Sequence, residues 1–221
     1  MQSPPVAADL QAMPDDQLML AYVAGDGAAF DLLYQRHEGG LYRFVRRLLG
    51  IQLVSQVDEV FQETWLRIVS ARASFAPQGA AWRTWAFTIA HNLAMDRLRE
   101  IGREVSYYAH DEDGDGLDAA RLFDRGVLRR DIAAAAVSSR PSTEDIAFWQ
   151  AAGRRLLACL DELPADQRAA FLLHHEDGFT VDALAAALDV GFETVRSRLR
   201  YALKKLRGCM ERYLTALGQV P

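Results

Sequence analysis

The sequence predicts an all-α fold: two small helical domains joined by a long flexible linker. Three observations carry this. No stretch of the 221 residues alternates apolar and polar side chains with period two over a useful length. Apolar residues recur instead with helical spacing over residues 15–100 and again over 142–213. Between these blocks the periodicity fades, and Gly102, Gly114, Gly116, Gly126, the acidic run DEDGDGLD and the stretch SSRPST mark a long connection. The boundaries therefore read as a flexible tail at 1–14, a first domain at 15–100, an acidic linker at 101–141, a second domain at 142–213 and a tail at 214–221.

Pro14 and Asp15 open the first helix, which carries Leu18, Tyr22, Phe30, Leu33 and Tyr34 to residue 36 with a break at Gly25-Asp26-Gly27. Residues 40–49 set Leu41, Phe44, Val45 and Leu48 on one side and Arg43, Arg46 and Arg47 on the other. Val57, Val60, Phe61, Thr64, Trp65 and Ile68 form the clearest amphipathic helix, with Asp58, Glu59, Gln62, Glu63 and Arg67 on its polar face. After the breaker Ala76-Pro77-Gln78-Gly79, a helix runs from Trp82 through Trp85 and Ile89 to Arg99. Trp82 and Trp85 stand three apart on one face, a spacing that favours core over base stacking. The linker leaves room for a short helix at Leu117–Arg130.

In the second domain, Ser142 and Asp145 suggest a capping box for a helix ending near Leu160. Residues 165–175 form another. Thr180 is placed to cap a third helix with Leu184, Ala185 and Leu188 inward, and Asp189-Val190-Gly191-Phe192 turns the chain into a final long helix with Val195, Leu199, Ala202 and Leu206 inward.

Thirty acidic residues against 25 basic ones give a net charge of −5, a mild argument against a nucleic-acid binder. Local sign matters more. Residues 193–212 hold seven basic residues against two acidic ones, a net +5, while 101–153 hold ten acids against six bases. No apolar run approaches the ~18 residues of a membrane span. The N-terminus MQSPPVAADLQAMPDD lacks the basic leader and apolar core of a secretory signal, so a cytoplasmic location is expected. Cys159 and Cys209 are too few for a disulfide scaffold or zinc cage and suggest a reducing setting. Asp111, Asp113, Asp115 and Gly116 match the start of a calcium loop, but Asp118 and Leu122 stand where an apolar residue and a Glu belong. His174 and His175 point about 100° apart on a helix and suit a solvated helix end rather than one metal. No phosphate loop or nucleophile elbow is present. The chain is expected to be no enzyme and to need no cofactor or metal.

The third and fourth helices of the second domain read as a helix-turn-helix. Arg196, Ser197 and Arg200 lie opposite Val195 and Leu199, with Lys204 continuing the stripe. Short polar and basic side chains near the start of such a helix are what reading a DNA groove requires.

Five ordered blocks carry a family resemblance: AFDLLYQRHEGGLYRFVRRLLG, VDEVFQETWLRIV, WRTWAFTIAHNLAMDRLRE, LDELPADQRAAFLLHHEDGFT and VDALAAALDVGFETVRSRLRYALKKLR. Together the chain resembles a sigma factor of bacterial RNA polymerase, of the two-domain extracytoplasmic-function (ECF) group. The resemblance implies that the first domain is sigma region 2 and the second sigma region 4. It implies docking on core polymerase, on the β′ clamp helices and the β subunit, through Asp58, Glu59, Gln62, Glu63 and Arg67. It implies recognition and melting of the promoter −10 element by Arg83, His91, Asn92, Arg97, Arg99 and Arg103, with Ser74–Ala81 as the rim of a flipped-base pocket. Thr194, Arg196, Ser197, Arg198, Arg200 and Lys204 would read the −35 element. An anti-sigma factor or other regulator is a further implied partner.

The chain departs from the family pattern at Gly191, where Pro is common, at Ala183, where an acid is common, in its longer linker, and in residues 1–13. The alternative is a free-standing helix-turn-helix regulator with an N-terminal sensor domain. An acidic docking helix followed by a Trp/Asn block has no use in such a sensor.

Overall fold

The computed structural model describes residues 7–102 and 143–216. Within them are nine α-helices and no strand: α1 (Ala7–Ala12), α2 (Asp15–Val23), α3 (Gly27–Leu49), α4 (Val57–Ser70), α5 (Trp82–Gly102), α6 (Thr143–Asp161), α7 (Ala165–His175), α8 (Val181–Leu188) and α9 (Phe192–Ala216). The expected linker, Arg103, the calcium-like run, the possible Leu117–Arg130 helix and the Ser142/Asp145 capping box lie outside the residues or side chains described.

The break at Gly25-Asp26-Gly27 is a capped helix start. The Asp26 carboxylate accepts from the Ala28 and Ala29 amides at 3.0 and 3.4 Å, satisfying donors the new helix leaves open. From there α3 runs unbroken to Leu49, so the helix read at 15–36 is two, α2 and the start of α3, and its second part shares one rod with 40–49 across Gly39-Gly40. A side chain at Gly40 would meet the Phe87 ring at 3.9 Å, an ordinary contact, and packing outweighs the weak helix propensity of glycine here. Ala29, Leu33, Leu41, Phe44, Val45, Leu48 and Leu49 face inward from α3. Val57, Val60, Thr64, Trp65 and Ile68 do so from α4, as the spacing predicts.

The amino-terminal segment is less free than expected. Leu10 of α1 is buried, and Arg36 of α3 donates to the carbonyls of Gln11 and Met13 at 2.6 and 2.8 Å and pairs with Asp15 at 2.8 Å. These bonds satisfy carbonyls at the open end of α1.

In the second half, Thr180 caps α8 by accepting from the Ala183 amide at 3.2 Å. Asp189 ends α8 at φ 51°, a left-handed conformation that Asp tolerates better than most residues. Leu184, Ala187 and Leu188 are buried; Ala187 takes the inward place expected for Ala185. Cys159 and Cys209 are joined as a disulfide with Cα atoms 6.0 Å apart, tying α6 to α9. The two cysteines, read as too few for a disulfide scaffold and as a sign of a reducing setting, are thus bonded to each other: two helices far apart in sequence meet side by side, which helical periodicity does not reveal.

The halves share one core. Helix α8 packs on α5 and α7 on α3, and buried residues from Leu10 to Cys209 form a continuous apolar cluster. At Gly50, the C-cap of α3 at φ 69°, an added Cβ would meet the Asp161 carboxylate at 2.6 Å and the Arg168 guanidinium at 2.7 Å. Only glycine accommodates both that conformation and that approach.

Candidate nucleic-acid interface

Three surfaces gather the residues singled out in the sequence. The first is the polar face of α4. Thr64 is buried and its hydroxyl donates to the Val60 carbonyl at 2.7 Å, so the opposite face is held outward. Asp58 accepts from the Tyr42 hydroxyl at 3.1 Å, a bond that raises the Tyr42 pKa. Glu63 pairs with Arg67 at 2.9 Å, one turn along the helix. Gln62 is exposed, and beside them Leu66 is 62% exposed, a large apolar side chain amid acids.

The second surface is α5 with the loop before it. Trp82 is fully buried, its ring 4.5 Å from His37 and 6.4 Å from Trp65, and its backbone amide donates to Asp16 at 2.5 Å. Asp16 on α2 thus caps α5 across 66 residues. Trp85 is half-buried and stacks on Phe75 at 5.4 Å, within the loop expected as a pocket rim. Both tryptophans serve the core, as their spacing predicts.

Asn92 and Arg99 are exposed on α5, Arg99 bridging to Asp96 at 2.6 Å. Arg97 spans Glu59 at 2.6 Å and Glu100 at 3.2 Å. His91 is buried, with Nδ1 3.3 Å from the Asn92 carbonyl oxygen, and burial lowers its pKa. Arg83 is turned into the second half of the chain.

The third surface is α9. Arg196, Arg200 and Lys204 are exposed along one stripe. Arg196 reaches Glu193 at 3.3 Å, and Arg200 lies over the Tyr201 ring at 5.2 Å. The Ser197 hydroxyl donates to the Thr194 carbonyl at 2.9 Å. Arg198 differs from its neighbours: it pairs with Asp166 on α7 at 3.1 Å and is four-fifths covered.

Between the first and second halves lies a polar contact that helical periodicity did not disclose. Arg83 donates to the Asp177 backbone carbonyl, lies 3.7 Å from the Asp177 carboxylate, and covers the Phe179 ring at 4.9 Å and the Phe87 ring at 5.5 Å. Arg47 pairs with Glu176. Arg168 is buried and donates to the carbonyls of Leu48, Asp161 and Leu163 at 3.2, 2.8 and 3.0 Å. His174 and His175 correct the solvated-end reading. His174 Nδ1 donates to the Phe179 carbonyl at 2.8 Å, and His175 stacks on Phe171 at 4.6 Å. Burial and the His174 charge lower the His175 pKa to about 4. Among the described residues, no cluster of three or more His, Cys, Asp or Glu is arranged for a metal, and no helix is long and apolar enough to cross a membrane.

An acidic helix, a Trp/Asn helix and a helix-turn-helix with a basic stripe thus occur together in one helical chain. Two family models match it: sigma-70 region 2 over residues 33–104 and sigma-70 region 4 over residues 153–206, together more than half of the chain. The chain belongs to the sigma-70 family, in its ECF group. It is 29% identical to the ECF RNA polymerase sigma factor SigE of Mycolicibacterium smegmatis over 198 residues, 88% of this chain and 68% of the relative. It is also 29% identical to SigK of Mycobacterium tuberculosis over 220 residues, 96% of this chain and 99% of the relative. Two solved structures share the fold. CnrH, in complex with the cytosolic domain of CnrY, superposes with a TM-score of 0.59 at 23% identity, covering 90% of this chain and 97% of CnrH. The Bartonella quintana sigma factor RpoE, in complex with the anti-sigma factor NepR, gives 0.55 at 21%, covering 82% and 96%. Region 2 of this ECF sigma factor therefore carries α3, α4 and α5, and region 4 carries the helix-turn-helix of α8 and α9.

Proposed function

We propose that this chain is the promoter-specificity subunit of a bacterial RNA polymerase, acting in the cytoplasm as a non-catalytic partner of the core enzyme. The observation that carries this is the exposed polar face of α4, Asp58, Glu59, Gln62, Glu63 and Arg67 around Leu66, in the same chain as an exposed Arg196/Arg200/Lys204 stripe on α9. The α4 face fits a basic coiled helical element, which in the family is the β′ clamp. Charge complementarity of this kind sets register and speeds association. Asn92, Arg97 and Arg99, with Arg83, His91 and Arg103, would take the −10 element, while α9 reads −35 in duplex form. Two modest DNA contacts on one polymerase strengthen each other through effective concentration. The structural relatives bound to CnrY and NepR suggest that a regulator of the anti-sigma kind also binds this chain.

Reconstitution with core polymerase tests the reading. Holoenzyme should co-elute on gel filtration and start transcription only from cognate promoters. Absence of a holoenzyme would leave the free-standing regulator as the better account. Replacing Glu63 with Arg should weaken core binding without unfolding the chain.

A further inference from the structure

We propose that Arg43 and Arg47 of α3 complete, with Arg83 of α5, a binding site for the sugar-phosphate backbone of single-stranded promoter DNA, and that the Glu176-Asp177 turn of the second half occupies that site in the free protein. The proposal rests on the sigma-factor reading and adds to it a site and its occupant.

Arg43 and Arg47 stand one turn apart on α3, on the face opposite its buried apolar stripe. Arg83 approaches from α5, and all three arginines act electrostatically on the single Asp177 carboxylate. Arg47 is paired with Glu176, and Arg83 grips both the carbonyl and the carboxylate side of Asp177. Two adjacent carboxylates facing three guanidinium groups present the arginines with anionic oxygens, as consecutive phosphates would. Arg is the side chain best suited to either, because its planar fork bonds carboxylate and phosphate alike.

The occupant is held imperfectly. Burial raises the Asp177 pKa to about 6 despite the three arginines, so desolvation costs this anion more than its neighbours return. On the arginine side, burial and the repulsion of Arg43 lower the Arg47 pKa. A phosphate chain that stays partly in water would satisfy the arginines without that cost. Displacing the turn would also uncover Arg83, whose guanidinium it now engages. Contacts to phosphate carry no sequence information, so the site contributes affinity to any −10 sequence.

Fluorescence anisotropy of the free full-length chain with a mixed-sequence single-stranded DNA oligonucleotide tests this. The wild type should bind weakly. Glu176→Gln with Asp177→Asn should tighten binding about tenfold, the scale of removing competing charge-assisted bonds. Adding Arg43→Ala and Arg47→Ala to that chain should abolish the gain. It should also make the salt dependence shallower by about 1.4, two phosphates at ~0.7 each. Inorganic phosphate, offered as competitor, should displace little, since one isolated anion lacks the chain of contacts. Affinity unchanged by the acid substitutions, or unchanged by then removing the arginines, overturns the proposal. Circular dichroism checks that each variant folds. Should the acid variant fail to fold, Arg43→Ala/Arg47→Ala is read in reconstituted holoenzyme: open complexes should be shorter-lived by a similar factor on promoters of different −10 sequence, and unchanged lifetimes overturn the site. Failure of promoter-dependent transcription by the wild type would instead remove the sigma-factor reading, an outcome the oligonucleotide measurement does not share.

Discussion

Arg97 on α5 lies 2.6 Å from Glu59 on α4, so one ion pair joins the surface assigned to DNA with the surface assigned to polymerase. Its partners are substantially exposed, with 65% of the Glu59 side chain open to solvent. Water screens such a pair, and exposed pairs typically contribute under ~1 kcal/mol. Glu59→Gln should therefore leave the melting temperature nearly unchanged yet weaken holoenzyme assembly, measured by competition for core polymerase. A large drop in melting temperature would show that the pair is structural instead.

Arg168 presents the opposite case. It is buried, and its guanidinium donates to three backbone carbonyls, one of them Leu48 from the other half of the chain. Arg168→Met keeps volume but strands those acceptors away from water. A loss of about 2–4 kcal/mol is expected, from the desolvation cost of unpaired buried acceptors. Urea unfolding monitored by circular dichroism measures it, and a loss indistinguishable from zero would mean that water replaces the guanidinium freely.

On α9, Arg196 and Arg200 are open to solvent while Arg198 is committed to Asp166. Arg196→Ala and Arg200→Ala should each weaken holoenzyme binding to a −35 duplex by about 1–3 kcal/mol and relax preference at one position, if each reads a base edge. Arg198→Ala should act more weakly on DNA. Equal losses for all three in electrophoretic mobility shifts would mean that the Asp166 pair opens on binding.

The elements were legible wherever one stripe of side chains decides burial. The α4 spacing, the Thr180 cap and the helical break at Gly25 all follow from local rules. Trp82 and Trp85 were legible as core for the same reason. The contact between halves was hidden because its residues are polar, and polar residues on a helix read as solvated unless their distant partner is known. Arg168, Glu176 and Asp177 belong to this class. Arg83, His91 and Arg198 were singled out for DNA, but helical periodicity carries no sign that the protein itself covers them. Gly50 carried the clearest missed signal: a glycine ending a long arginine-rich helix marks both a left-handed cap and a close approach.

The Cys159–Cys209 disulfide closes a loop with a sequence separation of 50. Constraining a loop of that length in the unfolded chain stabilises the fold by about 2–4 kcal/mol. Thermal unfolding with and without dithiothreitol should show a lower melting temperature under reduction. A Cys159→Ser/Cys209→Ser variant should match the reduced wild type and ignore the reductant. Identical melting of oxidised and reduced protein would show that α6 and α9 hold each other without the bond.

Asp177 and His175, two residues apart, give opposing pH dependences over nearly the same window. The Asp177 pKa is raised from 3.8 to about 6, chiefly by burial. Between those values its carboxyl is ionised only in the unfolded chain, which then binds fewer protons, so this contribution to stability falls as pH rises. The His175 pKa is lowered from 6.5 to about 4, again chiefly by burial. In that range the unfolded chain binds the extra proton, so this contribution rises with pH. His37 and His91, whose pKa values burial also lowers, add to the rise in every variant that retains them. Asp177→Asn should therefore steepen the gain in stability between about pH 4 and about pH 6 relative to wild type, and His175→Gln should flatten it. Urea midpoints measured across that range decide the matter: variant curves running parallel to wild type would mean that neither group is desolvated where the two halves meet.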